Sequence, residues 1–140
     1  MNRRVLVTGG RAFADRVAVF RTLDALQPIE CVIHGDATGA DALAREWARV
    51  RGVPDEAYAA DWENLEGVPA SRRRINRRTR RYYNVTAGFE RNQRMLDHAQ
   101  PTHVIAFAGG RGTNDMVGRT IRARAAGAAI EFVDMREVSQ

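Results

Sequence analysis

Three apolar runs in this chain end in glycine and pass directly into a helical pattern. They are Val5–Leu6–Val7–Thr8–Gly9–Gly10–Arg11, Val32–Ile33–His34–Gly35–Asp36–Ala37–Thr38–Gly39–Ala40–Asp41, and Val104–Ile105–Ala106–Phe107–Ala108–Gly109–Gly110–Arg111–Gly112–Thr113. A strand that runs through glycine into a helix brings unblocked backbone N–H groups to one spot. Those groups and the helix dipole favour an anion, most often phosphate. Three such turns at the carboxyl ends of parallel strands predict a phosphorylated ligand.

The surrounding pattern supplies the strands and helices. Arg4 to Thr8 and Cys31 to His34 read as buried strands. Ala57 to Ala60 is a weaker third strand, His103 to Ala108 a fourth, and Ala129 to Val133 a last one before a tail from Asp134 expected to fray. Between them lie helical stretches. Ala14 to Leu26 places Val17, Phe20, Leu23 and Leu26 on one face, and Pro28 ends it. A second helix runs to about Arg51, capped by Thr38 or Asp41, with Leu43, Trp47 and Val50 inward and Gly52 closing it. Gly88 to His98 and Asn114 to Ala126 complete the set. Alternating strands and helices predict an α/β fold: one Rossmann-like open parallel sheet of about five strands with helices on both faces. Its ligand crevice is expected outside the carboxyl ends of the strands. Residues 1–140 are expected to form a single nucleotide-binding domain, with an arginine-rich insertion at about 62–86.

Composition narrows the classes. At 140 residues, 44% hydrophobic and 28% charged, the chain matches an ordinary globular protein. No apolar run approaches the roughly 20 residues that span a bilayer, so no membrane association is expected and the cytoplasm is the default location. The single cysteine, Cys31, excludes a disulfide within the chain. All 22 basic residues are arginine, which removes a lysine Schiff base and a Walker lysine. Seven of them, Arg72, Arg73, Arg74, Arg77, Arg78, Arg80 and Arg81, lie between Ala70 and Arg81; the remainder of the chain carries 15 arginines against 17 acids. The basic balance therefore comes from one segment, which ends in Tyr82–Tyr83. That segment fits phosphate and base contacts with nucleic acid, a lid over the ligand, an oligomer contact, or a solvated loop.

Individual residues sort by chemistry. Gly109, Gly110, Arg111, Gly112 and Thr113 offer close backbone approach, N–H donors and a hydroxyl. Gly9 and Gly10 add donors, and Arg11 a guanidinium fork; the spacing is not the dinucleotide fingerprint. Gly35, Asp36, Gly39 and Asp41 combine glycines with carboxylates that can contact ribose or base, or cap the neighbouring helix. His34 reads as a satisfied core histidine. Arg91 and Asn92 open a helix that can aim at the crevice, and Trp62 can stack on a base or join the core. The three histidines and one cysteine show no metal-ligand spacing, and no cofactor is expected.

Taken together, these residues resemble the small proteins of the SLOG superfamily, Rossmann-like domains related to the LOG phosphoribohydrolases and the DNA-processing protein DprA. The resemblance is greatest to the DUF2493 or YspA-like group. It is carried by Val-Thr-Gly-Gly-Arg with Asp15, by His34–Gly35–Asp36 through Gly39–Ala40–Asp41, by Asp61–Trp62, by Ala87–Gly88 with Arg91–Asn92 and Met95, and by Phe107 through Thr113. It implies a domain that binds nucleotides or nucleotide-derived ligands, as a sensor. Enzymes of the wider superfamily cleave the N-glycosidic bond of a nucleoside monophosphate, with motifs like Glu-Arg-Lys-x-x-Met and Pro-Gly-Gly-x-Gly-Thr-x-x-Glu. Arg91 and Met95 match the first; Gly109, Gly110, Gly112 and Thr113 match the second. Its final glutamate falls on Met116, Ala108 replaces its proline, and Asp115 stands one residue early, about 100° around a helix.

The first expectation is therefore a nucleotide sensor. The alternative is a hydrolase of a nucleotide N-glycosidic bond, with Asp36 or Asp115 stabilising positive charge or activating water. The second alternative is nucleic-acid binding through Arg72–Arg81. Homo-oligomers are expected from relatives of this fold, which pair through helices.

Overall fold

The computed structural model describes residues 2–137. Its main sheet has five parallel strands: β1 (Arg4–Thr8), β2 (Cys31–His34), β3 (Asp55–Ala57), β6 (His103–Phe107) and β7 (Glu131–Met135), in the order β3-β2-β1-β6-β7. The chain winds from β1 outward to β3, then crosses over and continues through β6 to β7. The order reverses between β1 and β6, so a crevice opens there at the carboxyl ends. An α/β Rossmann-like fold is what the alternating pattern predicts. A second, antiparallel pair, β4 (Arg73–Ile75) and β5 (Tyr82–Asn84), lies within the arginine-rich segment.

Strand periodicity divides the core in two. Val5, Val7, Val32, Ile105 and Phe107 face one way and pack against Val19 and Leu23 of α1 (Arg16–Ala25) and Ala44, Trp47 and Ala48 of α2 (Ala40–Arg51). Leu6, Cys31, Ile33 and Val104 face the other way and meet Met95, Ala99 and Met116. Met95 and Ala99 belong to a wider π-turn, Met95–Ala99, that continues α3 (Ala87–Arg94); Met116 belongs to α4 (Arg111–Ala125). Both faces of the three inner strands are thereby covered, and this is why those strands read as continuous apolar runs.

Several expected boundaries shift, each for a physical reason. In α1, Asp15 is the cap, accepting from the Ala18 N–H at 3.0 Å, so the buried stripe is Val19–Leu23 and Val17 is exposed. Val50 of α2 is likewise exposed, while Trp47 is fully buried and donates to Asp24 Oδ1. Neither Thr38 nor Asp41 caps α2: Gly39 holds that position, and Gly52 closes the helix in the left-handed region as predicted. The third strand lies at Asp55–Ala57, not at Ala57–Ala60; its acidic residues disguise it, because as an edge strand it is held by Arg4–Glu56 and His34–Asp55 pairs. α4 begins at Arg111, three residues earlier than the sequence pattern suggests, and β7 includes Asp134 and Met135, which are not frayed. The rest of the tail, residues 138–140, lies outside the described residues. The segment 61–87, aperiodic in sequence, contains the β4–β5 hairpin, whose turn is closed by Asn76 accepting from the Arg78 and Thr79 N–H groups.

Candidate functional site

The three glycine turns meet at one residue. The Gly10 N–H donates to the Ala108 carbonyl at 2.8 Å, and the Gly10 carbonyl accepts from Phe13 N and Ala40 N. The turn after β1 is thus bonded to the turn after β6 and to the start of α2. Close approach explains five of the glycines. A Cβ on Gly9 would lie 2.5 Å from Ala40 Cβ, and one on Gly109 would strike the Thr113 hydroxyl. A Cβ on Gly10 would press on the Ala108 carbonyl, and one on Gly35 would collide with the Arg91 guanidinium. Gly39, at φ +76°, would strike the Gly10 carbonyl.

Gly110 and Gly112 are different. A Cβ on either would meet no packed neighbour within 4 Å, and both residues are exposed. Gly110 is the N-cap of α4 and offers no side-chain bond; the first backbone bond of the helix runs from Asn114 N to Gly110 O. The N–H groups of Arg111, Gly112 and Thr113 therefore stand free at the positive end of a 15-residue helix. Thr113 lies in the first turn and is not the cap; it is buried, with its hydroxyl beside Gly109.

These groups line a cavity of about 390 Å³ between β1, α3 and α4. Its floor includes Val7, Thr8 and Met95, and its far wall is Gly88, Phe89, Arg91 and Asn92 from α3. Trp62 forms the lip: its ring lies 3.2 Å from where a Gly88 Cβ would be, so a larger residue there would push the indole out. The Arg11 guanidinium sits 5.6 Å over the Trp62 ring, and Trp62 meets Tyr83 edge-on at 6.3 Å.

Asp41 and Arg91 form the charged back of the cavity, one on each side of Gly35. Asp41 is buried and accepts from Gly35 N at 3.0 Å and Ala37 N at 3.3 Å. Arg91 donates to the Gly35 carbonyl at 2.6 Å and to the Tyr58 carbonyl at 3.3 Å. Burial pushes the Asp41 carboxyl above its ordinary value, opposed by the charge of Arg91 and the Ala37 N–H. Burial also lowers the Arg91 value, with Asp41 opposing. Asn92, buried, accepts from Arg91 Nε and donates to Gly112 O at 3.1 Å and Asp115 Oδ2 at 3.0 Å. It thereby fixes the first turn of α4 against α3.

The remaining residues named from sequence lie elsewhere. Asp36 is exposed, at φ +58°, paired with Arg45 at 3.2 Å, and lines a neighbouring outer pocket rather than the main cavity. Asp115 is held by Asn92 and by Arg119 at 2.8 Å, outside the cavity lining. Met116 is fully buried in the core beneath. His34 is satisfied on both ring nitrogens: Nδ1 accepts from Asp36 N, which places the proton on Nε2, 2.7 Å from Asp55. In the arginine-rich segment, Arg72 pairs with Glu90, Arg81 with Glu63, and Arg73 and Arg74 donate to local carbonyls; Arg77, Arg78 and Arg80 surround the exposed hairpin turn. Gly88 and Phe89 of the wall escape sequence reasoning. The signals for Gly88 are its place in the Ala87–Gly88 element of the resemblance and its position one turn before Asn92, and the structure gives its packing reason in the Trp62 ring.

No helix of the described residues is long and apolar enough to cross a membrane. A model of the YspA, cpYpsA-related SLOG family matches residues 3–65, the stretch holding β1 through β3 and the first two glycine turns. The Gene 61 protein of Mycobacterium phage D29 is 44% identical over 70 residues, which cover 44% of this chain and 56% of that relative. The match spans little more than half of the phage protein. With the sheet order and the glycine turns in place, the match over residues 3–65 supports a likeness of this part of the chain to the SLOG superfamily, in its YspA-related group.

Proposed function

We propose that the cavity between β1, α3 and α4 binds a nucleotide or nucleotide-derived ligand, and that the protein acts as a sensor of it. The observation that carries this reading is the pair Gly110 and Gly112. They alone among the crevice glycines have no packing reason to lack a side chain, and they stand at an uncapped helix N-terminus that lines the cavity. A phosphate seated there would take the free N–H groups of α4, with Arg11 and Arg111 neutralising its charge. Trp62 and Phe89 offer faces for a base, and Asn92 and Asp41 polar contacts at the back. Titrating the purified protein with nucleoside mono-, di- and triphosphates while following thermal unfolding tests it. A ligand at a hundredfold excess over its dissociation constant stabilises by about 2.7 kcal/mol. No shift with any nucleotide would overturn the reading.

A second reading, hydrolysis of the N-glycosidic bond, has one observation in its favour. Asp41 is the carboxylate lining the cavity, and it lies beside Arg91. Neither Asp36 nor Asp115 lines that space, and the position of the related enzymes' glutamate, Met116, is in the core. Release of free base from nucleoside monophosphates, abolished by Asp41→Asn, would establish this second reading over the first.

A further inference from the structure

A second cavity of about 400 Å³ adjoins the first on the hairpin side. Its walls include Trp62, Tyr82 and Tyr83, with Arg81, Asn76 and Arg11 around them. Two residues, Arg11 and Trp62, line both spaces. Anything that occupies both cavities must therefore pass alongside the stacked Arg11 and Trp62 side chains. Among the described residues Arg11 forms no ion pair; an aromatic face holds it and no carboxylate neutralises it. Its charge is available to an anionic group crossing that boundary.

The second cavity is built for a flat ring. Three aromatic side chains wall it, and Tyr82, paired across the hairpin with Ile75, is 56% exposed. The amide of Asn76 uses its oxygen to close the hairpin turn, which leaves its NH₂ for a base carbonyl.

Resting on the reading that the first cavity takes a nucleotide, we propose that the full ligand is two nucleosides joined through phosphate, with the linking phosphate at Arg11 and the second base on the Trp62–Tyr82–Tyr83 platform. The same chemistry occurs in free dinucleotides joined by pyrophosphate and in the phosphodiester-linked end of a nucleic-acid strand. The arginine-rich hairpin then has a specific task. It completes a second base site instead of serving as a general anion-attracting arm.

Isothermal titration with three probes tests this: AMP, diadenosine joined 5′-to-5′ by pyrophosphate, and 5′-phosphorylated adenylyl-adenosine joined by a phosphodiester, with the guanine, cytosine and uracil counterparts alongside. At least one two-nucleoside probe is expected to bind roughly tenfold more tightly than its mononucleotide, as one base–aromatic stack supplies. Tyr82→Ala should remove that advantage and leave mononucleotide binding unchanged, while Tyr82→Phe keeps it. Preference for the pyrophosphate probe would mark a free dinucleotide as the source, and preference for the phosphodiester probe a strand end. Mononucleotide binding with no gain from either two-nucleoside probe overturns this inference and leaves the nucleotide reading standing. Absence of binding by every probe overturns both.

Discussion

At the scale of single residues, glycine carries two different messages in this chain. Gly9, Gly35, Gly39 and Gly109 are required by neighbours that leave no room for a Cβ. Gly110 and Gly112 face open space. Replacing Gly112 by aspartate should leave folding intact or improve it, because an acid in the first turn of a helix interacts well with the dipole, by about 0.3–1 kcal/mol. The same carboxylate would repel a bound phosphate. The expected outcome is an unchanged or raised melting temperature together with loss of the nucleotide-induced shift. Retained binding would remove the phosphate assignment from α4. Asp41 makes a prediction of opposite character. Its folded-state pKa lies above its ordinary 3.8 because of burial, so the folded protein holds that proton more tightly than the unfolded chain. Stability from this group is fully present below the ordinary carboxylate range and declines as pH rises through the folded value. Asp41→Asn keeps an oxygen for the Gly35 and Ala37 N–H groups and has no proton to lose. Urea unfolding from pH 4 to 8 should show wild type losing stability relative to the variant as pH rises.

At the scale of elements, small polar ties hold the helices that frame the cavity. Asn92 joins α3 to the first turn of α4 through Gly112 O and Asp115. Asn92→Ala would strand a carbonyl and part of a carboxylate, at a cost of about 1–3 kcal/mol. It should also weaken nucleotide binding, since the N–H groups of α4 would no longer be fixed against α3; chemical denaturation and titration of the same variant measure both. On the opposite face, Asp24 of α1 accepts from Trp47 and Arg51 of α2. The Arg51 bond, then the Trp47 bond, lower its pKa to about 2. This tie is present above the ordinary 3.8 and is lost as pH falls toward 2. An acid titration followed by tryptophan fluorescence should therefore differ between wild type and Asp24→Asn in that window.

The whole molecule separates a scaffold from an addition. The parallel sheet and its four helices place the cavity, whereas the β4–β5 hairpin contributes Trp62's partner Tyr83 and the second cavity. Neutralising Arg77, Arg78 and Arg80 to glutamine alters only exposed side chains around the hairpin turn. The melting temperature should stay within about a degree, as surface changes usually do. If the hairpin gripped a long nucleic-acid strand by charge alone, the salt dependence of oligonucleotide binding would flatten in this variant. For a ligand of two nucleosides held at Arg11 and Tyr82, both outside the substituted trio, the affinity should stay close to that of wild type.

Much of this is legible in the sequence because it is local. Apolar runs ending in glycine mark β1, β2 and β6, since a strand covered on both faces must be apolar at successive positions. The alternation of strands and helices then leaves a parallel sheet as the economical solution. The edge strand β3 resists placement because Glu56 and Asp55 are satisfied by Arg4 and His34, partners 52 and 21 positions away that no local pattern displays. The start of α4 is obscured because glycine at Gly112 argues against a helix, even though the open dipole end keeps it there. The sequence by itself determined the sheet, its two packed faces and the presence of glycine turns at one edge. Tertiary structure decided which glycines are spacers and which are open, that Asp41 rather than Asp36 or Asp115 reaches the cavity, and that the arginine-rich segment folds into a wall. Those outcomes depend on which surfaces come within a few ångströms across the sheet's switch point, and chain spacing does not encode that distance.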